Sequence, residues 1–127
     1  MVERSHPNTL IRLIPWIVPL AVLSCILPPE EELPTQITLT VDENAKNVGE
    51  DFTFSYEAQG TALNRVIVRY GDGESNADST FFGIYQSSEM AGVMVHAYAA
   101  AGSYTVVGYV EDLAVGVDSA QLVVDVN

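Results

Sequence analysis

The chain changes its hydrophobic pattern three times. Leu13 to Leu23 is an uncharged apolar run, Ile26 to Gln36 is rich in proline and glutamate, and everything after that alternates with period two. Alternation at that period puts successive side chains on opposite faces of a strand. Ile37, Leu39 and Val41 alternate with threonines and predict a first strand. Phe52, Phe54 and Tyr56 alternate with Thr53 and Ser55 and predict a second, with Asn44 to Gly49 as the turn between them. Val66, Val68 and Tyr70 alternate with Arg65, Ile67 and Arg69 in a third, closed by Gly71-Asp72-Gly73, where glycine accepts positive φ without steric cost. Shorter patterns predict strands over Ser79 to Tyr85 and Val93 to Ala97, and clear ones over Ser103 to Val110 and Ala120 to Val126. No helical stripe of ten or more residues is present. About seven short strands separated by turns predict an all-β fold, a single two-sheet sandwich over residues 37–127.

The apolar run follows Arg4 and Arg12 and ends at Ser24, a small residue. A basic start, a short apolar stretch and a small residue before the cut are the marks of a secretory signal. A spanning helix needs about 20 consecutive apolar residues, and this run is bounded by Arg12 and interrupted by Pro15 and Pro19. Val22-Leu23-Ser24-Cys25 resembles the lipobox of bacterial lipoproteins, which implies a signal peptide over residues 1–24, cleavage before Cys25 and a diacylglycerol on its sulfur. Cys25 is the one cysteine of the chain, so no internal disulfide competes for it. Residues 25–36 then read as a lipidated, acidic, proline-rich tether, long enough to hold a domain roughly 30 Å from a bilayer. The expected location is extracytoplasmic and membrane-anchored, in an outer membrane where the cell has one, since Ile26 rather than Asp follows the cysteine.

Charge narrows the partners. Removing 24 residues from 127 leaves 103, with three basic residues (Lys46, Arg65, Arg69) against sixteen acidic ones, a net charge of −13. Such a surface repels phosphate backbones, so nucleic acid is not an expected partner. Membrane attachment must then come from lipid, because no basic patch supplies it.

Several ordered motifs resemble a PKD domain, an Ig-like module. Tyr70-Gly71-Asp72-Gly73 stands where that family typically has Phe-Gly-Asp-Gly; His96-Ala97-Tyr98 matches its His-x-Tyr; and Gly102-Ser103-Tyr104-Thr105-Val106 matches its Gly-x-Tyr-x-Val. The resemblance covers roughly Thr35 to Asn127 and implies a PKD-like sandwich that contacts protein or carbohydrate. Val68 replaces a usual tryptophan, Arg69 stands where the family commonly has Asp, and the 22 residues between Gly73 and His96 form a long connection. The motif residues carry structural roles in this reading. Tyr104 fits a tyrosine corner, Asp72 an Asx turn within its own loop, and His96 a packed position.

Candidate chemistry is sparse. A Ser-His-Asp site needs a nucleophile beside His96, and no nucleophile-elbow sequence is present; a hydrolase is the weakest reading and no enzyme activity is expected. Asp72, Glu74, Asn76 and Asp78 offer oxygen at alternate positions like half of an EF-hand loop. The glycine position is Ala77 and the twelfth position Gly83, so calcium lacks its bidentate ligand and no cofactor is expected. Arg65 and Arg69 lie on the strand face opposite Val66 and Val68 and are candidate binding residues as a basic stripe, although the Ig-like strand order implied by the resemblance puts Glu111 across the sheet as their expected partner. Phe81, Phe82 and Tyr85 are the candidate contact residues for an envelope protein or a polysaccharide, since loop aromatics mark interfaces.

Overall fold

The computed structural model describes residues 31–80 and 87–127. Cys25, the apolar run, Phe81, Phe82 and Tyr85 lie outside the described residues. The described residues form seven strands: β1 (Gln36–Val41), β2 (Ala45–Lys46), β3 (Asp51–Arg69), β4 (Ser75–Ser79), β5 (Ser87–Ala97), β6 (Gly102–Asp112) and β7 (Gly116–Val126). The fold is all-β, as the alternation predicts.

One strand departs from expectation. The segments 52–56 and 65–70, expected as separate strands, are the two halves of β3, which runs unbroken for 19 residues. Its first half lies between β1 and β5, pairing Leu39 with Tyr56 on one side and Phe54 with Met94 on the other. Its second half lies between β4 and β6, pairing Val68 with Asn76 and with Gly108. β7 continues from β6, and β2 closes the far side in parallel with β7. The sandwich is therefore one hydrogen-bonded sheet folded over through β3. Its layers meet where Ile37 and Leu39 of β1 press on Gly108 of β6; a Cβ there would sit 3.3 Å from Ile37 Cδ1.

The fold-over falls at Gln59 to Arg65, where the register shifts and alternation lapses. Asp112, only 3 % exposed, holds the bend. Its Oδ2 accepts from the amides of Thr61 (2.6 Å) and Ala62 (3.0 Å), and its Oδ1 from those of Ala114 (2.8 Å) and Val115 (3.1 Å). One carboxylate thus ties the middle of β3 to the β6–β7 turn. Gly60 leaves it room, because a Cβ there would lie 2.3 Å from Oδ2.

The described strand nearest the one expected over Ser79 to Tyr85 is β4, which lies earlier and ends at Ser79. Asn44 to Gly49 connects β1 to β3 but contains the short β2. The core takes Phe52, Phe54, Tyr56, Val66 and Val68 from β3, Met90 and Met94 from β5, Val106 and Val110 from β6, and Val124 from β7. Burying each such side chain stabilises by about 1.5–3 kcal/mol.

Candidate functional site

The turn after β3, the end of β5 and the start of β6 converge at one end of the sandwich. Gly71 adopts φ +87° there, and a Cβ would stand 2.6 Å from the carbonyl oxygen of Thr105. Only glycine lets the turn approach β6 this closely. Asp72 Oδ1 accepts from the Glu74 amide at 3.1 Å, and the Tyr70 amide donates to Glu74 O at 3.1 Å. The turn is closed by its own groups.

Across it lies His96, 9 % exposed. Its Nε2 donates to Asp72 Oδ2 at 2.6 Å, and its Nδ1 is 3.7 Å from Glu74 Oε2. The imidazole lies flat on Tyr70 with ring centroids 3.9 Å apart and meets Tyr98 edge-on at 4.7 Å. Tyr98 stacks on Tyr104 at 4.2 Å and donates its hydroxyl to Tyr70 O at 2.8 Å. Tyr104 donates to Ala100 O at 2.7 Å, the upstream bond that defines a tyrosine corner. Burial pushes the Asp72 carboxyl up, but the His96 bond and the Glu74 amide outweigh it and hold the group below the usual carboxylate range. Burial raises the Tyr98 hydroxyl, with Asp72 adding to the effect. The Tyr70 hydroxyl is buried without a hydrogen bond of good geometry among the described residues; burial raises it while nearby Asn76 pulls the other way.

Asp72, Glu74 and His96 bring one ligand atom each within 4.8 Å of one another. Two oxygens and a nitrogen suit a zinc-like ion better than calcium, which takes oxygen ligands. Asp78 stands apart from this group, its carboxylate bonded to the Tyr56 hydroxyl from β3. The four acidic and amide side chains at alternate positions are thus divided between two places.

On the outer face of the β4–β3–β6–β7 layer, Arg65 Nε donates to Glu111 Oε2 at 2.8 Å, and Asn64 Nδ2 reaches the same oxygen at 3.0 Å. The Arg69 guanidinium lies over the Tyr109 ring, 5.1 Å from its centroid. The two arginines are spent on separate neighbours, one ionic and one aromatic, and do not form a continuous basic stripe. The pairing of Asp72 with His96 and the bracing by Asp112 were not among the sequence expectations; a Gly-Asp-Gly turn and a strand-end Glu-Asp were the signals available for them.

This architecture is an Ig-like β-sandwich module. No known family matches the sequence, and no curated protein matches it. Among solved structures, the PKD domain of an M14-like peptidase from a Thermoplasmatales archaeon superposes with a TM-score of 0.58 at 18 % identity, covering 75 % of this chain and 97 % of that one. A CARDB domain from Pyrococcus furiosus, solved in complex with di-metal ions, gives 0.51 at 12 % identity over 73 % of this chain and 89 % of its own. The sporulation control protein of Bacillus subtilis gives 0.52 at 10 % identity over 73 % of this chain but only 49 % of that protein.

Proposed function

We propose that this chain is a lipid-anchored protein of the bacterial envelope whose sandwich is a binding or spacing module, contacting protein or carbohydrate, and not an enzyme. The observation that carries this reading is how the motif residues are used. Asp72, His96, Tyr98 and Tyr104 bond and stack on one another or on nearby backbone, which is the work of a fold and not of a reaction. His96 has Asp72, Glu74, Tyr70 and Tyr98 around it, which supports a packed role for it over that of a catalytic base. The likeness to PKD and CARDB domains supports a module that binds or spaces. Lipid attachment at Cys25 is supported by the lipobox-like sequence and by the net charge of −12, which leaves a membrane-bound form without an electrostatic anchor.

A calcium-holding structural module is the second reading, resting on Asp72 and Glu74, and the nitrogen ligand in their group counts against it. The test of the main reading is mild cross-linking of the full-length anchored protein in its own envelope, followed by mass spectrometry of attached proteins and glycans. A reproducible protein or glycan partner is the expected result. Recovery of the chain alone would leave only the spacer role.

A further inference from the structure

The first half of β3 has β1 on one side and β5 on the other, and among the described residues β5 pairs with nothing else. In an antiparallel pair each strand directs alternate N–H and C=O groups outward. No other described backbone hydrogen bond reaches Met90 to Ala97. Sheet edges of this kind are ordinarily blunted by charge, proline or brevity. Two of the other borders are blunted in those ways, and the third, β1, lies against β7, where its Ile37 amide is taken by Asp118. β4 is five residues of Ser-Asn-Ala-Asp-Ser, all exposed. β7 carries Asp118, which accepts from the Ile37 amide at 3.1 Å, and its end is covered by β2. β5 is eleven residues long and has no Asp, Glu, Lys, Arg or Pro from Met90 to Ala97. Its outward side chains are Ala91, Val93, Val95 and Ala97, with Val93 64 % and Val95 50 % exposed.

We propose that β5 is the edge through which two copies of this chain associate, their β5 strands pairing antiparallel about a two-fold axis through Met94. This rests on the reading of the sandwich as a binding module and names its partner. An interface between identical copies must match itself under the two-fold, and β5 does so about Met94. Val93 faces the Val95 of the second copy and Val95 its Val93, so four valines cover one another. Ala91 faces Ala97. On the inner side Gly92 faces His96, small against large. The one acid of the strand, Glu89, falls opposite Ala99 and meets no carboxylate.

Charge restricts where a second copy can dock. At a formal −12, two copies repel across most of their surfaces and can approach only where charge is missing, as it is along Met90 to Ala97 of β5. On the outer face the acids of the neighbouring strand are Asp51 and Glu57, opposite Ala97 and Ala91 on β3, while Asp72 and Glu74 lie on the inner side beside His96. In the paired dimer the Asp51 of one copy and the Glu57 of the other are separated by three strand spacings, about 14 Å. That exceeds the screening length of about 8 Å at physiological salt. The two three-stranded layers become one six-stranded layer, and the exposed edge disappears.

The experiment uses the full-length chain in its own envelope, with a photo-reactive amino acid at Ala91, alongside sedimentation of the detergent-solubilised protein. The expected result is a cross-linked species of twice the chain mass containing only this chain's peptides, and a solubilised dimer. Val93→Lys with Val95→Lys, both at exposed positions, should weaken the dimer at least about tenfold through like-charge apposition, with an unchanged melting midpoint at concentrations too low for the dimer to form. Should the lysines lower that midpoint, Val93→Thr with Val95→Thr keeps the β-branched shape and tests the same contact. A monomer with no cross-link, or a dimer indifferent to both variants, overturns the proposal. A cross-link from Ala91 only to a different protein also overturns it while leaving the binding module intact.

Discussion

Asp112 shows how one side chain sets the geometry of this molecule. A carboxylate that is nearly buried normally has its pKa raised; here the amides of Ala62, Ala114, Thr61 and Val115 overcome burial and hold it below the usual range. Asp112→Asn puts an NH₂ group where one oxygen accepts two N–H donors, so two amides shielded from water in part or in full lose their acceptor. We expect a loss of roughly 2–4 kcal/mol, measured by urea denaturation at neutral pH. The sign of the pH dependence follows from the lowered pKa. Both Asp112 and Asp72 are depressed in the folded chain, so their contribution is complete above the unfolded value of about 3.9 and is lost as pH falls through it toward the folded values. The melting midpoint should hold from neutral pH to about pH 5 and fall steeply below about pH 4. In Asp112→Asn the fall should be shallower, so that the two proteins converge in acid. Parallel curves for the two would mean that Asp112 is not a source of the acid sensitivity.

At the scale of elements, the turn after β3 separates two causes of glycine dependence. Gly73 has φ +96° with nothing within 4 Å of an added Cβ, whereas Gly71 has φ +87° and faces Thr105 O at 2.6 Å. Gly73→Ala carries only the left-handed backbone cost, about 1–2 kcal/mol. Gly71→Ala carries that cost and must also displace the β6 backbone, so we expect roughly 2–4 kcal/mol. Chemical denaturation of the two variants checks the order, and a Gly73→Ala loss equal to or above that of Gly71→Ala would contradict the close-approach account. β3 is the element that the residues described least well. Its halves each alternate cleanly, but Ala62-Leu63-Asn64, three buried residues in a row, does not, and a lapse in alternation reads as a loop. The strand continues because Asp112, fifty residues later in the chain, satisfies the amides of the bend. Local pattern carries no trace of so distant an acceptor.

For the whole molecule, the anchor and the module make separable predictions. Cys25→Ser removes the sulfur that would carry the lipid, and an acidic chain has no other hold on an anionic bilayer. The variant should move from the membrane pellet to the soluble fraction without a change in melting midpoint, and a variant still in the pellet would end the lipoprotein reading. Composition and period-two alternation determined on their own that the chain is all-β with about seven strands, because burying one face of a strand leaves its mark on every second residue. The positions of Phe52, Phe54, Val66, Val68 and Val106 in the core were legible for that reason. The outward direction of Arg65 was legible for the same reason, and its pairing with Glu111 followed from the Ig-like strand order that the PKD resemblance implies. Tertiary structure alone decided that two strands are one, that Asp72 meets His96 while Asp78 meets Tyr56, and that β5 is left at an edge. Each of these depends on which strands become neighbours, and neighbours here are brought together by long-range packing rather than by the residues adjacent to them in the chain.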